Sequence, residues 1–360
     1  LRLNDDARKG CSPIANGTYR VDRSYAWNYA HSPSLPRVRR LPGGPGGHLF
    51  EYRLNSNLGV SAGPLLNSKW VEGYARLGFD ILTYNTVRST FWPAYNLPNI
   101  RHVENREQVA VTSRRPLHAA HPTLAVSLGN PSSEPDVWRK DVRRARERMG
   151  RGQVLIVSVI GTPTPGGDAE AFVTDYGRCA AWAAEAGADI VEVHLATPDP
   201  FAEQAQMVFE NFLLSAQILH RVRTTISVPV LAKLGAFRTP RALHETATKL
   251  APWAHGFVLV SGIQRRIIDE EGNAAFDGRD RADVVGADMF AVCSRQVSEM
   301  LAWRKAGAWE RAVLAVGGIT TVERVDAMLR GGADAVLVAT AALYDPLFAT
   351  RFRQSRASAA

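Results

Sequence analysis

The run "AVLAVGGITTVERVDAMLRGGADAVLVATAAL", residues 312–343, decides the fold. Its two ends, 312–320 and 334–343, open as nearly unbroken Ala/Val/Leu strands, and the stretch between them has helical period. A strand that is apolar on both faces belongs in a parallel sheet covered by helices, since a strand with one wet face alternates polar and apolar residues. The same unit recurs upstream, with strand-like runs at 58–64, 80–86, 153–161, 189–197, 229–235 and 256–262. Eight such runs separated by helical stretches predict an α/β protein of the (β/α)8, or TIM barrel, class. A doubly wound sheet is the competing architecture, but no G-x-G-x-x-G opens a helix after the first run.

Working outward, two long segments interrupt the predicted barrel. One follows strand two, from about Arg88 to Gln153, and holds the extra apolar run "TLAVSLG". The other follows strand six, "IQRRIIDEEGNAAFDGRDRADVVGADMF", residues 263–290. Loops after strand C-termini build the active sites of such barrels, so this second insertion reads as a lid. Residues 1–50 read as an irregular N-terminal extension ending in "LPGGPGGH", and residues 51–360 as the barrel domain. That Gly-rich run has no lysine at its end and no helix behind it, so it reads as a connection and not as a phosphate loop.

Composition narrows the function. The chain has 360 residues, 46% of them hydrophobic, and a formal net charge of +8. The densest basic run, "WRKDVRRARERMGRGQ" at 138–153, has the period of a helix with one solvated face, and no nucleic-acid-binding module accompanies it. No apolar run reaches the roughly 18 residues of a membrane span and no signal-peptide pattern opens the chain, so a soluble, cytoplasmic protein is expected. Cys11, Cys179 and Cys293 are too few and too far apart for a disulfide framework or a Cys-x-x-Cys metal site. His118 and His121 form an H-x-x-H pair between prolines without a third ligand nearby, so no metal is expected.

The chemistry is expected where the strands give out. Gly317 and Gly318 end strand seven, and Ala339, Thr340 and Ala341 end strand eight, where barrels bind phosphate with backbone N–H groups. Tight turns alone would also explain the glycines. Lys233, near the end of strand five, alternates toward the barrel interior; among Val, Leu and Ala it requires either a carboxylate such as Glu192 or an anionic ligand. In strand four, Glu192, His194 and Ala196 alternate toward the lumen while Val191, Val193 and Leu195 face the helices.

Taken together, "VSAGPLLN", "GFDILTYNTVRS", "VSLGNPS", "VLIVSVIGT", "VEVHLATPDP", "VPVLAKLG", "AVGGITT" and "AVLVATAAL" resemble, in order and over about residues 57–345, the dihydroorotate dehydrogenase family of FMN-dependent barrels. The resemblance implies FMN across the barrel mouth, its phosphate on Gly317, Gly318, Ala339 and Thr340. Its ring would lie near Ala62, Gly63, Asn85, Thr86 and Ser261, with Lys233 at the electron-rich N1/C2=O edge. Members of the family are often homodimers, which makes a homodimer an expectation here too.

Departures from the pattern fall on the substrate side. Where the family has N-[LF]-S-C/S-P-N, this chain has His194, Leu195, Ala196, Thr197, Pro198 and Asp199, so a threonine stands at the position of the catalytic base. Val126 stands where the family has an asparagine, Ser261 and Gly262 where it has an asparagine–serine pair, and Asn85 where some relatives have a lysine. A site that loses these amides leaves a pyrimidine's polar edge unpaired, so the resemblance implies an FMN-dependent oxidoreductase acting on a different small polar or anionic substrate. A divergent dihydroorotate dehydrogenase, or a phosphate-binding barrel without redox chemistry, are the alternatives. His194 and Thr197 are the catalytic candidates, His194 either exchanging a proton or hydrogen-bonding the flavin's pyrimidine ring. Ser127, Asp199 and Arg265 are the expected substrate contacts, with Asp199 and the lid around Arg265 and Asp269 as the fallback source of an acid or base.

Overall fold

A computed structural model describes residues 18–106, 109–113 and 122–357. Each of the eight apolar runs carries one strand of a closed barrel: β1 Leu58–Val60, β2 Ile81–Val87, β3 Val154–Val159, β4 Ile190–His194, β5 Val230–Lys233, β6 Gly256–Leu259, β7 Ala312–Val316 and β8 Ala335–Val338. Every neighbouring pair is parallel, and β8 closes on β1 through Leu337 opposite Gly59. The strands are buried on both faces, which is why their sequences are apolar nearly throughout, apart from lumen-facing groups such as Glu192 and His194.

Helices wrap the outside, several starting on a side-chain cap. Asn67, Asp168, Thr239 and Thr321 accept backbone N–H bonds at the starts of helices Ser68–Arg76, Ala169–Glu185, Pro240–Leu250 and Val322–Arg330. The basic helix Pro135–Glu147 buries Trp138, Val142 and Ala145. Its charges meet acids on neighbouring elements, Arg139 with Glu185 and Arg146 with Asp189, as a solvated helix face predicts.

The lumen is filled from below. Ile81, Val154, Ile156, Ile190, Leu231, Val258, Leu314 and Leu337 form an apolar plug with Leu49 and Leu54, which arrive on the hairpin Gly47–Leu49/Tyr52–Leu54. With the bottom closed, access to the interior is left to the end where the strands terminate. Cys179 and Cys293 are free and buried, and Cys11 lies outside the described residues, as do His118 and His121. No helix among the described residues is long and apolar enough to cross a membrane.

Both insertions join in one structure. Residues 263–290, read from the sequence as a lid, form the hairpin Ile263–Ile268/Arg281–Gly286. Its second strand pairs with Thr123–Val126, which pairs with Ile100–Asn105, which pairs with Val109–Thr112, and that strand returns to Ile263–Ile268. The result is a second closed sheet of five strands with its own core of Val103, Ala110, Ala125, Ile267, Phe276, Ala282 and Val284. Its alternation buries Ala282 and Val284 and leaves Asp283 and Val285 facing the barrel mouth, where both line a cavity. The N-terminal segment reaches the same end: Thr18 donates to the Leu343 carbonyl, and the Tyr25 hydroxyl, on helix Tyr25–Ala30, accepts from Asn85.

Candidate active site

The polar layer above the plug is built on β4 and β5. His194 and Lys233 stand side by side in register, one strand apart. The Lys233 ammonium donates to Ser61 Oγ at 3.0 Å and to Glu192 Oε1 at 3.4 Å, with both charged side chains almost fully buried. An ammonium has three donors, so one remains for a ligand. Lys233 accordingly pairs with Glu192, the first of the two sequence readings, and it also lines the space above.

Two adjoining cavities open there. The narrow one, about 90 Å³, is lined by Gly317, Gly318, Ala339, Thr340, Ser61 and Lys233 among others. Its floor depends on glycine: Gly318 has φ +68°, and a Cβ on it would lie 2.2 Å from the backbone nitrogen of Phe290. The larger cavity, about 570 Å³, lies between the barrel mouth and the five-stranded sheet. Such a volume is that of an ordinary small-molecule site. Ala62, Gly63, Asn85, Thr86, His194, Thr197 and Ser127 line it, and Ala62, Lys233, Ser261, Ala339 and Thr340 border both cavities. All the expected cofactor residues therefore lie around these two adjoining cavities, together with both catalytic candidates.

Two of the expected substrate contacts lie elsewhere. Asp199 accepts from the Phe201 N–H and from Asn211 Nδ2, which ties it to the start of helix Phe212–Thr225, and it does not line the cavity. Arg265 alternates away from the cavity, while its strand neighbour Gln264 lines it. The arginines that do face the space are Arg88, Arg279 and Arg281. Arg279 donates to Ser127 Oγ at 2.8 Å and lies over the Tyr95 ring. Arg88 is buried, donates to the carbonyls of Asn130 and Gly161, and stacks on Trp92, with no carboxylate in salt-bridge range among the described residues.

The electrostatics sort the titratable groups. Burial, followed by the positive charges of Lys233 and Arg88, pushes the His194 imidazolium down to about 3. The ring is thus neutral at ordinary pH, with Nδ1 buried and unpartnered. It can exchange hydrogen bonds, but it lacks the near-neutral titration expected of a free imidazole. Asp283 behaves in the opposite sense: burial pushes its carboxyl up to about 6, against the Gln264 hydrogen bond and the Lys233 charge, both of which favour the anion. Sequence reading missed Asp283. The alternation in "RADVVG" places it opposite Ala282 and Val284, but only the pairing with Thr123–Val126 turns that face toward the cavity.

No family model matches the chain. It is 27% identical to the dihydroorotate dehydrogenase of Dictyostelium discoideum over 370 aligned positions, covering 95% of this chain and 98% of that protein. Against the catalytic subunit of dihydroorotate dehydrogenase B (NAD(+)) of Thermoplasma acidophilum the identity is 30% over 217 positions, 60% of this chain and 65% of that protein. Similarity along nearly the whole length, on an eight-stranded parallel barrel with this mouth, makes the chain a homologue of the dihydroorotate dehydrogenases, a family of FMN-dependent oxidoreductases.

Proposed function

We propose that the chain binds FMN in the paired cavities and oxidises or reduces a small polar substrate other than dihydroorotate. The observation that carries this reading is Lys233, a buried ammonium with a free donor at the junction between a glycine-floored recess and a larger cavity. The residues fit the cofactor. Gly317, Gly318, Ala339 and Thr340 would hold its phosphate, Ala62, Gly63, Thr86 and Ser261 would border its ring, and Lys233 would neutralise the ring's electron-rich edge. Bound FMN would supply two-electron chemistry by hydride exchange at N5.

The chain's own groups then orient and shield. His194, neutral, offers one N–H and one lone pair to the ring or substrate. Thr197 is buried with no carboxylate or imidazole bonded to its hydroxyl among the described residues, so it is suited to positioning a substrate and poorly suited to removing a proton. Arg88 and Arg279 bring positive charge, which favours a substrate with an anionic portion.

The test is spectroscopic. Purified protein is expected to carry flavin absorbance that dithionite bleaches under anaerobic conditions and dihydroorotate does not. Rapid bleaching by dihydroorotate would make the protein a divergent dihydroorotate dehydrogenase; failure to retain or take up FMN would leave a phosphate-binding barrel without redox chemistry.

A second expectation concerns His194→Asn. This variant should keep its flavin, and its pH profile between about pH 5 and pH 8 should have the wild-type shape, because a group titrating far below that window contributes no ionisation within it. An ionisation near neutrality that disappears in His194→Asn would return the histidine to acid–base work.

A further inference from the structure

Two aspartates line the large cavity among the described residues, the exposed Asp280 and the half-buried Asp283, and Asp283 has one oxygen left open to it. Gln264 Nε2 donates to its Oδ1 at 2.7 Å, and Oδ2 has no hydrogen bond among the described residues. Gly262 makes the room: a Cβ there would lie 2.7 Å from the Asp283 Cβ, so any side chain at 262 would displace the carboxylate. Across the sheet Asp283 is in register with Val126, which offers it no polar partner. Thus the cavity wall that holds Val126, Ser261 and Gly262, where the family pattern has an asparagine and an asparagine–serine pair, also holds an acid from the insertion.

Of the other charged and titratable groups of the cavity, Asp280 is exposed and forms no ion pair among the described residues. Lys233 faces Asp283 from β5 but is bound to Glu192 and Ser61. His194, from β4, is neutral. On its own side of the cavity Arg279 is engaged with Ser127, and Arg281 points to the Gln264 carbonyl. Arg265, on the adjacent strand, faces away from the cavity, and Arg88 is bonded to carbonyls. None of these forms a salt bridge with Asp283 among the described residues, so its open oxygen is an acceptor in need of a donor.

We propose that Asp283, held by Gln264 and accommodated by Gly262, is the specificity-determining residue of the cavity: it takes an N–H or cationic nitrogen of the substrate on Oδ2 and rejects a carboxylate at that position. This deepens the FMN-oxidoreductase reading by naming the substrate's recognised group, and rests on it for the identity of the site. With the anionic preference of Arg88 and Arg279, it points to a substrate with a nitrogen donor on one side and an anionic or acceptor group on the other. The ionised carboxylate is present above pH 6 and lost as pH falls through that value.

Two isosteric probes of opposite charge test it: benzamidine, a cation with N–H donors, and benzoate. Affinities for the flavin-loaded wild type and for Asp283→Asn are measured by calorimetry at about pH 5 and about pH 8. At the higher pH, Asp283→Asn is expected to weaken benzamidine and strengthen benzoate, changing the ratio of their affinities by roughly tenfold or more. The wild-type ratio should fall toward that of the variant at the lower pH. Carbon-13 NMR of aspartate-labelled wild type should show a carboxyl titrating near 6, absent from Asp283→Asn and shifted upward in Gln264→Leu, where the bond favouring the anion is gone. A ratio unchanged between the two proteins, or no binding of benzamidine to the wild type, overturns the proposal. Flavin absorbance in the same samples separates that result from failure of the FMN reading, in which the flavin itself is missing.

Discussion

Lys233→Met is expected to lower stability by about 3–5 kcal/mol, the usual cost of stranding one partner of a buried ion pair. Glu192 is 0% exposed and one of its oxygens already has no partner, so removing the ammonium leaves an uncompensated charge inside the barrel. The variant should also lose most of its flavin, since the free donor between the two cavities disappears. The double variant Lys233→Met/Glu192→Gln separates the two effects. It should recover most of the stability, because no buried charge remains, and recover little of the flavin. Denaturant unfolding with flavin absorbance on the same samples measures both, and a single variant that costs less than about 1 kcal/mol would mean that water or a rearranged neighbour replaces the ammonium.

Gly318→Ala should be the most damaging of the single-methyl changes at this site. A Cβ at 318 would meet the backbone nitrogen and Cα of Phe290 at 2.2 and 2.7 Å, and backbone atoms cannot rotate aside as a side-chain tip can. The residue also has φ +68°, so strain adds to the clash. A cost of about 2–4 kcal/mol is expected, together with loss of the recess floor and hence of flavin. Gly272→Ala is the control. It shares a positive φ but has nothing within 4 Å of its added methyl, so it should cost only about 1 kcal/mol and leave the flavin bound. Equal effects in the two variants would assign the cost to backbone conformation and remove the clash from the explanation.

The barrel and several residues at its mouth were legible in the sequence. Continuous apolar runs are a local property of strands buried on both faces, so all eight could be read from 58–343; the rule that barrel sites form at strand C-termini pointed to Lys233, Gly317, Gly318 and Thr340, while Ala62, Gly63 and Thr86 came from the family resemblance, and all of them line the two cavities. The register of Lys233 followed from alternation alone.

The other wall depends on long-range strand pairing. The segments 100–126 and 263–286 are far apart in the chain, and nothing local in "IQRRII" or "RADVVG" says that they close one five-stranded sheet. That pairing turns Asp283, Gln264 and Arg279 toward the cavity and Arg265 away from it, because shifting a strand by one residue exchanges its faces. Asp199 was expected at the cavity because it matches the last position of the family's strand-four motif, while its carboxylate is bound to a loop N–H and to Asn211. The protonation states were likewise beyond the sequence. A neutral His194 and a carboxyl titrating high at Asp283 arise from burial and from charges contributed by other strands, and both depend on distances that exist only once the chain has closed.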